Sequence, residues 1–171
     1  LMFSPRFRDP LRRLACALAI GTGVVAQSAI EPTNSAPNPY QTIEGWAKMP
    51  AGRSWGSTSA VDVDKDGKSI WVGERCGANS CWDAAKGAMS TLDVVLKFDQ
   101  SGALVRSFGA GLMVFPHGIH VDRDGNVWLT DGQDNLPRRG RGDAPDSPLP
   151  PPPAHVVGHQ IFKFSPEGKL L

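Results

Sequence analysis

FPHGIHVDRDGNVWLTD, residues 115–131, reads as two short alternating strands around an Asp-Gly turn. Asp-Gly supplies the positive φ that a tight hairpin connection requires. The same design occurs earlier as AVDVDKDGKSIWVGE, residues 60–74. Val63 falls on Val121, Asp64-x-Asp66-Gly67 on Asp122-x-Asp124-Gly125, and Ile70-Trp71-Val72 on Val127-Trp128-Leu129. A second pair follows, VLKFDQSGALV (95–105) on IFKFSPEGKLL (161–171), with Lys97 on Lys163, Phe98 on Phe164 and Gly102 on Gly168. Each unit is therefore two hairpins, and the units recur at roughly 60 residues, longer than the ~40–50 of ordinary propeller blades because loops are inserted. Trp71 and Trp128 occupy matched strand positions, so both are expected to be largely buried between neighbouring units.

Short alternating strands, 19 glycines and 15 prolines place the chain in the all-β class as a β-propeller. At 171 residues it holds about two blades, one over about 55–108 and one over about 112–171. Propellers close with four to eight blades, so the chain reads as the N-terminal fragment of a longer one, leaving an apolar blade face and sheet edges uncovered. A formal net charge of +1 gives no basic surface for nucleic acid.

Arg6, Arg8, Arg12 and Arg13 precede a short apolar run, residues 14–26, that ends in Val24-x-Ala26. This is the pattern of a cleaved signal peptide over residues 1–26, too short to span a bilayer comfortably. An uncleaved anchor is the alternative reading. Cys16 stands too early in the run for a lipoprotein cysteine, and Arg13 sits where an aliphatic residue belongs. Export would place the mature chain in a secreted or periplasmic compartment with no stable membrane span. Such a compartment is oxidising, which favours a Cys76–Cys81 disulfide over free thiols.

Residues 27–42 form a polar, proline-rich linker, and residues 43–46 suggest a first short strand. Within the folded part, residues 43–171, the second unit is interrupted by a loop over 133–158 containing PRRGRGD and LPPPPA. Proline at that density holds neither helix nor central strand. The Arg141-Gly142-Asp143 triplet in it is three common residues and carries no adhesion reading.

Asp62-x-Asp64-x-Asp66-Gly67 copies the first half of a calcium loop. The twelfth position is Gly73 rather than a bidentate acid, and His120 replaces the first acid in the second unit, although Asp131 stands at its twelfth position. The hairpin-turn reading is the stronger. His117 lies between Pro116 and Gly118 at the start of an inner strand, where a propeller aims side chains at its central channel. It is either a metal ligand there or a hydrogen-bonded channel histidine.

The strings PHGI, DGNVWLTD and GHQIFKF, together with VGERCG, resemble the peptidyl-α-hydroxyglycine α-amidating lyase family among NHL-repeat six-bladed propellers. The likeness spans residues 61–171. It implies that His117 is a zinc ligand, that Arg75 is an active-site arginine, and that the backbone carbonyls of Val61 and Ile119 hold a structural calcium. The implied reaction cleaves peptidyl-α-hydroxyglycine to a peptide amide and glyoxylate, on a peptide or small-molecule ligand in the channel. The family's catalytic tyrosine has no match, because the single tyrosine, Tyr40, lies in the linker. The alternative is a noncatalytic NHL-repeat propeller that binds a ligand or protein partner. A lactonase-like propeller is disfavoured, because its acidic and asparagine ligands are not supplied by Arg75 and His117.

Overall fold

The computed structural model describes residues 37–140 and 142–171. The expected signal segment, Cys16, most of the linker and Arg141 lie outside the described residues. The chain divides into two units, Leu1–Gln41 and Thr42–Leu171. The described part of the first is exposed coil, and every strand among the described residues lies in the second.

The second unit is all-β among the described residues. Strands β1 (Thr58–Val63), β2 (Ile70–Glu74), β5 (Val95–Phe98) and β6 (Leu104–Phe108) form one antiparallel sheet in the order β1-β2-β5-β6. β3 (Trp82–Asp83) and β4 (Ala88–Met89) make a small ribbon inserted between β2 and β5. β7 (Pro116–Val121), β8 (Val127–Asp131) and β9 (Ile161–Phe164) form the second sheet. A lone bridge from Phe164 to Leu170 stands where the first sheet has its fourth strand. The repeat is therefore physical. β1-β2-β5 corresponds in order to β7-β8-β9, with an insertion after β2 and another after β8.

Both turns need their glycine, with φ of 69° at Gly67 and 88° at Gly125. Within each sheet the two-residue period separates two faces. In the first sheet Ala60, Trp71 and Val95 point toward the second sheet, on what we term the leading face. The second sheet answers with its trailing face, where Val127, Leu129, Phe162 and Phe164 are buried and Ile119 and Val121 pack beside them. Gly73 lets the sheets approach, because a Cβ there would come within 3.3 Å of Leu129. Phe108 bridges the two, with ring centroids 5.6 Å from Trp71 and 5.0 Å from Phe164.

The trailing face of the first sheet has a different cover. Val72, Leu96 and Phe98 are capped by Trp46, Ala47 and Met49. Residues 43–46 do not form a strand. Residues 46–49 cross the face instead and are bridged to the sheet at Lys48–Ala103, in parallel. Their role is that of a lid over apolar side chains, which Trp46 and Met49 satisfy without a ladder.

The tryptophans divide. Trp71 is fully buried, whereas Trp128 is 37% exposed, against the sequence expectation. Both lie on leading faces. The second sheet covers Trp71, and the leading face of the second sheet is open.

Candidate functional site

The last residue of each second strand is a buried acid, Glu74 on β2 and Asp131 on β8. Each accepts a backbone N–H donor from the segment leading into the first strand of its sheet, and Glu74 accepts another from the loop that follows it. Gly56 N and Gly77 N donate to Glu74 Oε1 at 2.6 and 2.8 Å. Val114 N and Phe115 N donate to Asp131 at 2.9 and 2.6 Å. Arg53 closes the first site with a 2.7 Å ion pair to Glu74 Oε2 and a bond to the Asp93 carbonyl. These staples fix where β1 and β7 begin. Sequence reasoning missed them, although the matched GE and TD ends of the two strands were the available signal.

Arg75 follows Glu74 directly and is 7% exposed. Its Nε donates to the Pro116 carbonyl at 3.0 Å, Nη1 to Asn79 Oδ1 at 2.9 Å and Nη2 to Ser59 Oγ at 3.0 Å. Ser59 Oγ in turn donates to the His117 carbonyl at 2.9 Å. The guanidinium lies 3.4 Å over the Phe115 ring, and that ring stacks on His117 with centroids 5.9 Å apart. Arg75, Phe115 and His117 thus form one stack, with β1 and β7 side by side beneath it. Burial lowers the Arg75 pKa from its ordinary value, yet a guanidinium stays charged at any physiological pH. A guanidinium has five N–H donors, and three of its nitrogens already bond within the protein. The remaining capacity suits an acceptor such as a carboxylate.

The loop after Arg75 is closed by a Cys76–Cys81 disulfide. Cys76 holds a left-handed φ of 56°, uncommon for a residue with a side chain. Cys81 N and Ser80 Oγ both donate to the Val114 carbonyl, at 2.8 and 3.2 Å, tying the loop to the segment that carries Phe115. A cleft of about 590 Å³ lies beside the stack rather than over it, walled by the disulfide, Trp82, Asp83, Lys86 and Met89.

The carboxylate turns hold protein groups. Asp64 Oδ2 accepts the Trp71 indole N–H at 2.6 Å and pairs with Lys97 at 2.8 Å. Asp122 Oδ2 accepts the Trp128 indole N–H at 3.1 Å and pairs with Lys163 at 3.8 Å. Each lysine also lies over its tryptophan, at 5.1 and 4.7 Å. Burial works to raise the Asp64 carboxyl, but the Lys97 bond, the Asp66 amide and the Trp71 indole hold it below its ordinary value. Asn126 holds Asp122 below the usual carboxylate range, with help from the Trp128 indole. Asp66, capped by the Ser69 amide and hydroxyl and by the Lys68 amide, falls to about 2.

The other implied metal groups are placed as follows. His117 is exposed on β7, and His120, further along the same strand, faces Asp62 at 3.5 Å. Asp62 Oδ2 also accepts Val121 N at 2.7 Å, joining the inner strands. Val61 and Ile119 sit at equivalent ladder positions, paired with Val72 and Leu129. Among the described residues no three His, Cys, Asp or Glu side chains converge to hold a metal. A catalytic zinc takes three protein ligands, so His117 by itself does not constitute the centre.

No family model matches the chain. It is 26% identical over 147 residues to peptidyl-alpha-hydroxyglycine alpha-amidating lyase 2 of Drosophila melanogaster, covering 79% of this chain and 29% of that protein. It is 32% identical over 83 residues to the peptidylglycine alpha-amidating monooxygenase of Rattus norvegicus, and equally to that of Mus musculus, covering 46% of this chain and 6% of each. The chain thus spans under a third of the length of the curated relatives it matches, and the similarity is distant. Among the described residues no helix is long and apolar enough to cross a membrane.

Proposed function

We propose that this chain is part of an exported NHL-type propeller of the amidating-lyase kind, with Arg75 as its carboxylate anchor. The observation that carries the reading is the Arg75–Phe115–His117 stack, which joins the two residues singled out by the resemblance across the two sheets. The similarity to an α-hydroxyglycine amidating lyase supports it. In the proposed reaction the substrate hydroxyl loses its proton and its oxygen becomes the aldehyde oxygen of glyoxylate. The bond from the α-carbon to nitrogen breaks, and the nitrogen takes a proton to leave as the peptide amide. Arg75 holds the substrate carboxylate, which its planar fork suits. Zinc at His117 and calcium at the Val61 and Ile119 carbonyls belong to the same proposal, with the remaining ligands supplied from beyond the described residues.

A noncatalytic propeller that binds a peptide or small molecule is the second reading. The internal bonds of Arg75 favour it, because a guanidinium held by Pro116, Asn79 and Ser59 is first of all a brace between the sheets. Glyoxylate release from an α-hydroxyglycine peptide separates the two. The lyase reading expects release by the exported protein supplied with zinc, loss of release in Arg75→Lys with metal content unchanged, and loss of both in His117→Ala. Peptide binding without glyoxylate release leaves the binding module standing.

A further inference from the structure

The disulfide loop and the β3–β4 ribbon form one insertion, residues 76–91, and the cleft of about 590 Å³ opens between them. Every residue that lines the cleft belongs to this insertion, so its shape is set within the segment itself. The walls are tied down. The disulfide closes the loop, Ser57 N donates to the Ala78 carbonyl at 2.7 Å, and Ser90 N donates to the Cys81 carbonyl at 2.7 Å. Trp82 and Met89 are direct partners across the ribbon, and both are half-buried. With the disulfide, Ala78 and Ala88 they give the cleft an apolar lining. At its rim Asp83 and Lys86 pair with each other at 2.9 Å and leave no net charge. A flat indole facing an adaptable thioether suits an uncharged, bulky side chain. The volume lies within the ~300–1,000 Å³ of small-molecule sites. The Trp82 indole N–H has no partner among the described residues, whereas those of Trp46, Trp71 and Trp128 all donate.

The cleft and Arg75 share a wall. Asn79 accepts from Arg75 Nη1, while its two neighbours, Ala78 and Ser80, line the cleft. The loop is thus a partition one chain thick, with the guanidinium on one side and the apolar lining on the other. Consecutive Cα atoms of a peptide are about 3.8 Å apart. A peptide whose terminal carboxylate sits on Arg75 therefore brings the side chain of its preceding residue to the far side of this partition.

We propose that the cleft is a specificity pocket for the residue just before the carboxyl-terminal one of a bound peptide, and that it selects an aromatic or long aliphatic side chain there. The inference rests on the reading of Arg75 as a carboxylate anchor and names the class of peptide that this anchor would hold. Trp82 supplies the flat wall, Met89 adapts to the shape of the side chain, and the free indole N–H is placed to donate to a peptide carbonyl.

The test uses the full-length exported protein supplied with zinc and acylated dipeptides whose first residue is Phe, Leu, Gly or Asp. Each peptide is made in two forms. One ends in glycine and lacks the hydroxyl that the lyase reaction needs, and the other ends in α-hydroxyglycine. Calorimetry reads the affinity of the first form, and glyoxylate release reads kcat/KM for the second. The Phe and Leu peptides are expected to bind about tenfold or more tighter than the Gly peptide, and the Asp peptide no tighter than Gly. Trp82→Ala removes the flat wall and Ala88→Phe fills the cleft from an exposed position on β4. Each is expected to bring the Phe-to-Gly ratio close to one, and circular dichroism checks that the β spectrum is kept. If Trp82→Ala loses that spectrum, Ala88→Phe decides alone. A Phe preference in binding that vanishes in the variants, with no glyoxylate released by any protein, supports the pocket and removes the lyase reading. Glyoxylate release at equal efficiency from the Phe and Gly peptides overturns the pocket and leaves the lyase standing. A Phe-to-Gly ratio that survives in the variants, or a protein that binds none of the peptides, also overturns it.

Discussion

Trp71 and Trp128 stand on the same strand of the same repeat, bonded to matching aspartates and covered by matching lysines, yet one is sealed and the other half open. The difference is not local. Asp64 and Lys97 close on Trp71 at 2.6 Å to the indole N–H and 2.8 Å between charges, while the second set stands at 3.1 and 3.8 Å. The second sheet lies over the first set and excludes water from it, so the Asp64 side chain is only 6% exposed against 22% for Asp122. The same local sequence therefore makes a core in one sheet and a surface in the other. What decides between them is the neighbour each leading face meets.

Truncating the two tryptophans is the sharpest way to break this comparison. Trp71→Ala removes the largest buried side chain from the main core and is expected to destabilise the chain by about 3–5 kcal/mol. Trp128→Ala is expected to cost about 1 kcal/mol or less. Urea melts of both variants check this, and equal losses would mean that the leading face of the second sheet is covered in solution too.

The acid staples come next. Glu74→Ala strands the Arg53 guanidinium in a buried place, with an expected loss of about 3 kcal/mol. Asp131→Ala leaves one buried and one partly buried amide without an acceptor but no orphaned charge, so its loss should be smaller, about 2 kcal/mol. A reversed order, again by urea melts, would show that the lid and not the staple positions β1.

Acid should act on the turns. Asp66 has its pKa lowered from 3.8 to about 2 by bonds present only in the fold. A carboxyl depressed in this way contributes stability that is complete above its unfolded pKa and is lost as pH falls through the folded one. Stability is therefore expected to fall between about pH 4 and pH 2, with Asp64 and Asp122 contributing in the same direction. Asp66→Asn should flatten that decline. A slope unchanged in the variant would assign the acid sensitivity to other carboxylates.

The lysines should give the smallest effects. Lys163→Met removes a long, partly exposed ion pair and should change stability by under about 1 kcal/mol, with salt screening part of it. Lys97→Met, at the shorter and better shielded pair, should cost more than its repeat twin and respond less to salt. Melts at low and high ionic strength compare them, and a larger loss at Lys163 would contradict the shielding argument.

Much of this molecule was legible in its residues. The repeat of Asp-x-Asp-Gly and of the strands around it announced hairpins, and Gly67 and Gly125 take the positive φ that their turns require. The two-residue period also showed which side chains share a face, because alternation is a local property of an extended chain. Whether a face is covered is not local, which is why Trp128 was misjudged and why Trp46, expected in a strand, instead joins Ala47 and Met49 in a lid. The candidate site divides in the same way. The sequence singled out Arg75 and His117 one at a time, but their meeting required two sheets to stack at Gly73, so that an arginine could lie on Phe115 and bond to the Pro116 carbonyl 41 residues away. The buried acid that sets Arg75 in place, Glu74, is an ordinary last strand residue in the sequence. It becomes a staple only when Arg53, Gly56 and Gly77 converge on it, since desolvation and hydrogen bonding act on whatever the fold brings within reach.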